Sequence, residues 1–419
     1  MNIRTTIQLG ISKGLRSTLI PAALFAPLML ATLSDAHAGS REQAKRMHDR
    51  IAGVPPTSQV LDTMAALIEA DDDLAAARMA MENPSFYDVT LKNMAAPWTN
   101  EAQSVFVPLN DYTATVIGLV RDDADFRSVL YDDVVYVGNG SLNLPPYSLR
   151  NNDHYEELER EGHHLKDALI PLSQSTAAGD DSLPFEATAG IMTTRAAAQA
   201  FFSAGTNRAM LRFTLMNHLC NDLEQLNDTT RAPDRIRQDV SRSPGGDSRI
   251  FLNSCVGCHS GMDPLAQAYA YYDFEYDMDT DPDAQNGVLV YNTANDPDTG
   301  TRVQGKYLIN STTFEYGFVT TNDRWDNYWR EGQNYNLGWS NPGNPSVGGN
   351  GAKTMGMELA NSAAFASCQV KKVFKTVCLR DPVDAADRNQ ISSMTASFSG
   401  ADYNLKQVFA ESASYCKGE

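Results

Sequence analysis

The sequence predicts a mainly α-helical protein with two helical domains and a small β-insert. Apolar residues recur every three or four positions along much of the chain, which is the period of an amphipathic helix. A run of Ser, Pro, Gly and Asp at 243–247 interrupts this pattern and predicts a domain boundary. Residues 273–310 are polar and rich in turn formers, with short β-like runs at 288–291 and 307–309.

Residues 1–38 are predicted to be a secretory signal peptide. A basic start precedes an apolar run over 19–33, and Ala36-His37-Ala38 has the small-x-small pattern of a cleavage site. A membrane anchor is the alternative, but the apolar run is short for a span and two prolines interrupt it. We therefore expect a periplasmic or secreted protein, with no membrane span in the mature chain.

Apolar patterns and capping residues predict helices on both sides of the boundary at 243–247. The predicted domains are residues 39–245, of unknown role, and residues 246–419. One strand-like run occupies 132–137. Helices are predicted after Thr57, after Asn110, from Asn152 through His163, after Thr193 or Thr194 to Gly205, from about Asn207, and over 357–365, 369–377 and 403–409.

The formal net charge of −18 restricts the partners of the chain. A strongly acidic surface repels nucleic acid and anionic membranes, so a nucleic-acid partner is not expected. The same charge favours basic or metal-bearing partners.

The segment Cys255-Val256-Gly257-Cys258-His259 has the spacing of a c-type haem attachment site. The two vinyl groups of haem lie on one edge of the ring, so the two thiols must be close together. A histidine directly after the second cysteine can ligate the iron. We predict one covalent haem on Cys255 and Cys258 with His259 as the proximal ligand, and we expect Gly257 to let the backbone approach the macrocycle.

Other cofactors fit the sequence less well. A zinc site needs a second close-set ligand pair, and the chain contains no second Cys-x-x-Cys and no His-x-x-x-His. A thioredoxin-like dithiol needs a βαβ pattern, which is also missing. Asp277, Asp279, Asp281 and Asp283 resemble a calcium loop, but Pro282 replaces the glycine of an EF-hand and no glutamate closes the loop. A solvated acidic turn is the preferred interpretation.

The distal iron ligand is predicted to come from the region after a Gly/Asn/Pro-rich loop at 339–351. Met357 is the first candidate and Met355 the second, although either methionine can also be a core residue. Met262 lies three residues after His259, so on a continuing helix it shares a face with that histidine and cannot reach the opposite side of the iron. Ligation by methionine and histidine would close the iron to substrates.

The remaining four cysteines, Cys220, Cys368, Cys378 and Cys416, allow two disulfides in an exported protein. Cys368 and Cys378 would lie about 15 Å apart on one helix, which is too far to bridge. We favour Cys220–Cys368 with Cys378–Cys416, which leaves the pairing of Cys220 with Cys378 open.

The stretch Cys258-His259-Ser260-Gly261-Met262-Asp263-Pro264-Leu265, followed by Tyr272-Asp273-Phe274, resembles a group of bacterial exported mono-haem c-type cytochrome-like proteins known largely from planctomycetes. The resemblance covers roughly residues 185–385. This chain departs from the group in its polar insert at 277–310 and in lacking a proline-rich tract after Cys220. Further similar segments are Ala189–Thr193, Thr206–Arg208, Leu219–Cys220, Glu358–Ser362 and Leu379–Asp381.

The resemblance implies a cytochrome c-like second domain and electron transport, with segments of otherwise unknown function and no known substrate. Three functions are therefore considered. The first is one-electron transfer to an unknown redox partner protein. The second is a haem peroxidase or oxygenase with an open distal site. The third is a partner-binding protein with an accessory haem.

Overall fold

A computed structural model describes residues 38–340 and 348–418 of the chain. The predicted signal peptide lies outside these ranges, apart from Ala38. The described residues are mainly helical, which confirms the predicted fold class. The α-helices are α1 (Ser40–Ala52), α2 (Ser58–Glu69), α3 (Asp73–Met81), α4 (Lys92–Ala95), α5 (Asp111–Arg121), α6 (Asp153–Arg160), α7 (Leu165–Ala168), α8 (Gln174–Ala177), α9 (Arg195–Phe201), α10 (Arg208–Thr214), α11 (Ser248–Ile250), α12 (Val256–Ala266), α13 (Gly351–Ala360), α14 (Ala363–Cys378), α15 (Ala385–Gly400) and α16 (Leu405–Cys416).

The described β-structure consists of three small antiparallel pairs. In the first pair Val135 lies opposite Leu172, in the second Tyr272 lies opposite Tyr291, and in the third Arg324 lies opposite Asn350. Each pair lies against helices and forms a separate two-stranded sheet. The strands are β1 (Val135–Gly138) with β2 (Leu169–Leu172), β3 (Tyr272–Glu275) with β4 (Val288–Tyr291), and β5 (Arg324–Asp326) with β6 (Gly348–Asn350).

The described residues from Ala38 onward form one compact unit. Its main hydrophobic core takes side chains from both sides of residue 245, the predicted domain boundary. The side-chain amide of Asn207 donates to the carbonyl oxygens of Tyr269 and Tyr272, at 2.9 and 2.8 Å. The phenol of Tyr269 in turn contacts Met192 Sδ at 3.0 Å. The C-terminal helix α16 packs against α1 and α3, so the two ends of the described chain share this core.

Several predicted helix starts are confirmed by capping hydrogen bonds. Thr57 accepts from the Val60 amide, Asn110 from Thr113, and Thr194 from Ala197. Each of these side chains satisfies an amide that has no partner inside its own helix. The predicted helix after Asn152 ends at Arg160, before His163.

Other predictions were incomplete or wrong. The β-like run at 288–291 is confirmed as β4, but residues 307–309 are not a strand. Tyr307 belongs to a tight helical turn over Gly305–Leu308, and its ring packs with Val303, Ala270 and Tyr271 in a small separate cluster. Helix α15 was not predicted, because its sequence is rich in Ser, Thr and Ala and carries few large apolar residues.

Both predicted disulfides are present, Cys220–Cys368 and Cys378–Cys416. The first joins the end of the π-helical turn Leu215–Leu219 to α14, and the second joins α14 to α16. Cys255 and Cys258 are the two unpaired cysteines of the described chain. Among the described residues no helix has both the length and the apolar character needed to cross a membrane.

Candidate functional site

The two unpaired cysteines stand at the start of α12. Cys255 ends a π-helical turn over Phe251–Cys255, and Cys258 lies in the first turn of α12 itself. Residues three apart on a helix share a face, so the two thiols are presented on one side of this segment. Both side chains are partly exposed, and Cys258 Sγ lies 3.4 Å from the carbonyl oxygen of Leu223. The arrangement leaves two neighbouring thiols accessible for covalent attachment.

His259 follows directly and is held by a carboxylate of the same helix. Its Nδ1 lies 3.0 Å from Oδ1 of Asp263, four residues later on one face of α12. Because a carboxylate only accepts hydrogen bonds, Nδ1 carries the hydrogen and Nε2 is left with a free lone pair. A histidine whose second ring nitrogen donates to a carboxylate is the usual form of a metal-ligating histidine. His259 is 21% exposed at its side chain, so a group on the protein surface can reach it.

Asp263 is fully buried, and its negative charge is balanced by arginine. Arg208 donates to both carboxylate oxygens, from Nε at 2.7 Å and from Nη2 at 3.0 Å. The Arg237 backbone amide donates to Oδ2 at 3.1 Å. Burial raises the pKa of Asp263, but Arg208 and the His259 hydrogen bond outweigh it and hold the pKa below its usual range. Asp263 therefore stays ionised and keeps His259 oriented.

Arg208 is shared between two carboxylates. Its Nη1 and Nη2 also donate to Asp239, at 2.6 and 3.0 Å. Asp239 is 10% exposed at its side chain and bonds Arg208, whereas Asp263 contacts both Arg208 and His259. The two carboxylates raise the pKa of Arg208 in spite of its burial, so the cation is permanent. His259 is therefore anchored to a buried ionic cluster of Asp263, Arg208 and Asp239.

Two glycines allow other segments to pack closely against α12. A side chain at Gly257 would overlap the side chain of Asn227 and approach the Asp228 amide, which donates to the Gly257 carbonyl at 3.0 Å. A side chain at Gly261 would overlap the indole of Trp329. In the structure the neighbour of Gly257 is the 227–228 segment, and the approach of its backbone to a macrocycle stays a prediction.

The two candidate distal methionines both lie on α13, with different surroundings. Met355 is fully buried in the main core, whereas Met357 is 42% exposed. Residues two apart on a helix point in nearly opposite directions, which explains the difference. Helix α13 packs against the 126–130 and 267–269 turns and against β6. Of the two, Met357 is the side chain that is not committed to the core.

Met262, which was set aside as a distal ligand, and two histidines of the first half of the chain are engaged elsewhere. Met262 is 4% exposed and belongs to the core. His48 bonds the Val54 carbonyl, and His154 bonds both the Pro145 carbonyl and the Gly138 amide.

His218 is a fully buried core histidine. Its Nε2 lies 2.8 Å from the hydroxyl of Tyr112, and its ring contacts those of Trp98 and Phe365. Burial, with a smaller effect of the positive charge of Lys372, lowers the pKa of His218 to about 3. The imidazole is therefore neutral at physiological pH.

The acidic loop at 277–283 uses its carboxylates to hold its own backbone. Asp277 accepts from the amides of Asp279 and Thr280, and Asp281 accepts from those of Gln285 and Asn286. Across residues 38–340 and 348–418, no group of three or more His, Cys, Asp or Glu side chains is placed to hold a metal ion. The preferred interpretation of this loop stays that of a solvated acidic turn.

Sequence reasoning identified the thiols and His259 but gave no role to Asp263, Arg208 or Asp239. The spacing of four between His259 and Asp263 was a usable signal, because such residues meet on a helix face. Arg208 and Asp239 lie 55 and 24 positions before Asp263, and only the fold brings them together. No family model matches the chain, and neither the curated proteins nor the solved structures gave a match.

Proposed function

We propose that this protein is an exported c-type cytochrome that carries one covalent haem and transfers single electrons. The observation that carries the proposal is the combination of two unpaired, accessible thiols with a histidine whose Nδ1 is held by buried Asp263. Cys255 and Cys258 would form the thioether links, and His259 Nε2 would ligate the iron. Once attached, the haem supplies one-electron redox chemistry.

The roles of the protein residues follow from their contacts. Asp263 fixes the tautomer and the orientation of His259, and it makes the imidazole a stronger donor. Arg208 keeps that buried carboxylate charged. Leu223 and the 227–228 segment support the two-cysteine turn from the other side. Together these contacts hold the histidine rigidly, which suits a centre that exchanges electrons without rearrangement.

The resemblance to bacterial exported mono-haem proteins supports the same proposal, because its most specific stretch contains the thiols, His259 and Asp263. Two disulfides are compatible with an oxidising periplasmic or extracellular location. The redox partner would be another protein, and the acidic surface would favour a basic one. The second candidate function, a peroxidase or oxygenase with an open distal site, needs an iron without a second protein ligand.

The presence or absence of a second protein ligand on the iron distinguishes electron transfer from enzyme activity. We expect the iron of the oxidised protein to be low-spin, and we expect the absorption spectrum to show the weak long-wavelength band of a methionine–iron bond. Met357→Leu should remove that band and let the iron bind carbon monoxide after reduction, because the exposed thioether is the ligand. Met355→Leu is the matched control. It is a volume-conserving core substitution that should cost less than about 1.5 kcal/mol and leave the spectrum unchanged.

Absorption spectra with and without cyanide or carbon monoxide measure this directly. A wild-type iron that is high-spin and binds cyanide readily would contradict electron transfer and favour the enzyme. If Met355→Leu rather than Met357→Leu removes the band, the ligand assignment is wrong.

A further inference from the structure

An open cavity of about 350 Å³ lies between α6, α9 and the segment 99–110, and none of the three residues of the proposed haem site lines it. Amide side chains form much of its wall, and an apolar part of the wall consists of Val107, Pro108, Ala196 and Ala200. Cavities of this size hold small organic ligands, which are oriented by a few polar groups in the wall.

Arg195 is the unusual group in this wall. The residue is only 5% exposed, and its side chain lines the cavity. Nη1 donates to Oε1 of Gln199 at 3.0 Å, and Nη2 donates to the carbonyl oxygen of Gln285, so both acceptors are uncharged. Nε has no acceptor among the described residues, and no carboxylate of residues 38–340 and 348–418 lies within 4.0 Å of the guanidinium. Buried charges in proteins are normally paired, so this cation lacks its usual partner.

The buried carboxylate of Asp111 does not take the place of that partner. It accepts from the backbone amides of Arg195 and Ala196, at 2.6 and 3.0 Å, and its charge reaches the guanidinium only from a longer distance. The ring of Phe274, with its centre 5.8 Å from Cζ, favours the cation but carries no negative charge. The guanidinium therefore presents a positive charge to the cavity without an anion against it.

The same cavity also has negative groups in its wall. Glu101 and Glu156 line it, and both residues are exposed. Glu156 accepts from the Asn152 amide at 3.3 Å, and neither carboxylate has a lysine or arginine partner among the described residues. A simple anion would be attracted by Arg195 and repelled by the two glutamates. A ligand that has an ammonium group beside its carboxylate is attracted by both kinds of group.

We propose that this cavity binds free α-amino acids with an apolar side chain, a function independent of the proposed haem chemistry. Arg195 binds the carboxylate, because its planar guanidinium matches that group with parallel hydrogen bonds. Glu101 and Glu156 attract the ammonium group, and the apolar wall at Val107 and Pro108 contacts the side chain of the ligand. Binding is non-covalent, so no bond of the ligand is made or broken.

Isothermal titration calorimetry of the intact protein with three compounds of one carbon skeleton tests the proposal. L-Leucine carries both charges, 4-methylpentanoate lacks the ammonium group, and 3-methylbutylamine lacks the carboxylate. We expect L-leucine to bind with a dissociation constant of about 1 mM or below, and each singly charged compound to bind at least about ten-fold more weakly. Equal binding of L-leucine and 4-methylpentanoate would reveal a simple anion site and overturn the proposal. Failure of L-leucine to bind would also overturn it.

Charge substitutions in the wall test the assigned roles. Glu156→Gln changes an exposed residue, so the core stays intact. We expect it to weaken L-leucine binding about ten-fold and to reduce the preference for L-leucine over 4-methylpentanoate, because less negative charge remains for the ammonium group. Arg195→Gln should abolish the binding of L-leucine. The comparison of ligands on the wild-type protein holds even if this buried substitution impairs folding.

Glu157→Gln is the matched control. Glu157 is adjacent to Glu156 on α6, does not line the cavity and pairs with Arg160, so its substitution should leave L-leucine binding unchanged. Equal weakening by Glu156→Gln and Glu157→Gln would overturn the assignment of the ammonium site. Because the cavity and the proposed haem site share no residue, a chain without haem should bind L-leucine equally well. Failure here is therefore distinct from failure of the cytochrome proposal.

Discussion

Replacing Asp263 with alanine is expected to lower the free energy of unfolding by about 3–5 kcal/mol, the range for breaking a buried charge pair. The substitution leaves Arg208 with one carboxylate instead of two and removes the acceptor of the Arg237 amide. It also releases His259, whose Nδ1 then has no carboxylate to fix its tautomer. Urea denaturation followed by circular dichroism measures the stability, and the visible absorption spectrum of the proposed haem reports on His259.

Asp239→Asn is the matched control for this prediction. Asp239 bonds the same Arg208, at 2.6 and 3.0 Å, whereas the hydrogen bond of His259 goes to Asp263. We expect Asp239→Asn to destabilise the protein by a smaller amount and to leave the haem spectrum unchanged. A spectrum altered equally by both substitutions would show that the effect comes from the arginine and not from the histidine contact.

Removal of the Cys220–Cys368 disulfide by a double substitution to alanine is expected to destabilise the protein by about 4–5 kcal/mol on the chain-entropy estimate. The bridge closes a loop with a sequence separation of 148 residues, so the unfolded chain gains much freedom when it is lost. Cys220 follows the 215–219 turn and lies three residues before Leu223, whose carbonyl contacts Cys258. We therefore expect a lower yield of attached haem as well as a lower melting temperature.

The second disulfide provides the control. Cys378–Cys416 closes a loop with a separation of 38 residues between α14 and α16, away from the two-cysteine turn. Its removal should destabilise the protein by about 4 kcal/mol or slightly less and leave the haem yield per folded molecule unchanged. Haem yields that fall to the same extent in both double variants would contradict a specific role for Cys220 in supporting the attachment turn.

The parts of the fold predicted from sequence are those encoded by local physical chemistry. Thr57, Asn110 and Thr194 marked helix starts because a capping side chain and the amide that it satisfies lie within three residues. Helix geometry likewise excluded a bridge between Cys368 and Cys378, and the two observed pairings are the ones favoured. Tyr307 was misplaced because its packing partners at 270 and 271 are remote in sequence.

The candidate site shows the same difference between features encoded locally and contacts between residues that are remote in sequence. The thiols and His259 form one short motif, so they could be predicted as a haem attachment site without knowledge of the fold. The buried ionic cluster behind them could not be predicted from the sequence, because Arg208 and Asp239 meet Asp263 only when α10 packs against α12. Gly257 has a protein neighbour in addition to the macrocycle contact predicted for it, which no observation tests. Its neighbour is the Asn227 side chain, which no local pattern indicated.

Covalent haem attachment is the central claim, and one measurement tests it most directly. The full chain should be produced in a bacterium that exports it and attaches c-type haem, and its pyridine haemochrome spectrum recorded before and after extraction with acidified acetone. We predict one haem per chain that resists extraction, and no attached haem in a Cys255→Ser/Cys258→Ser variant. A purified protein with both thiols free, or a haem that is fully extracted from the wild-type chain, would contradict the claim.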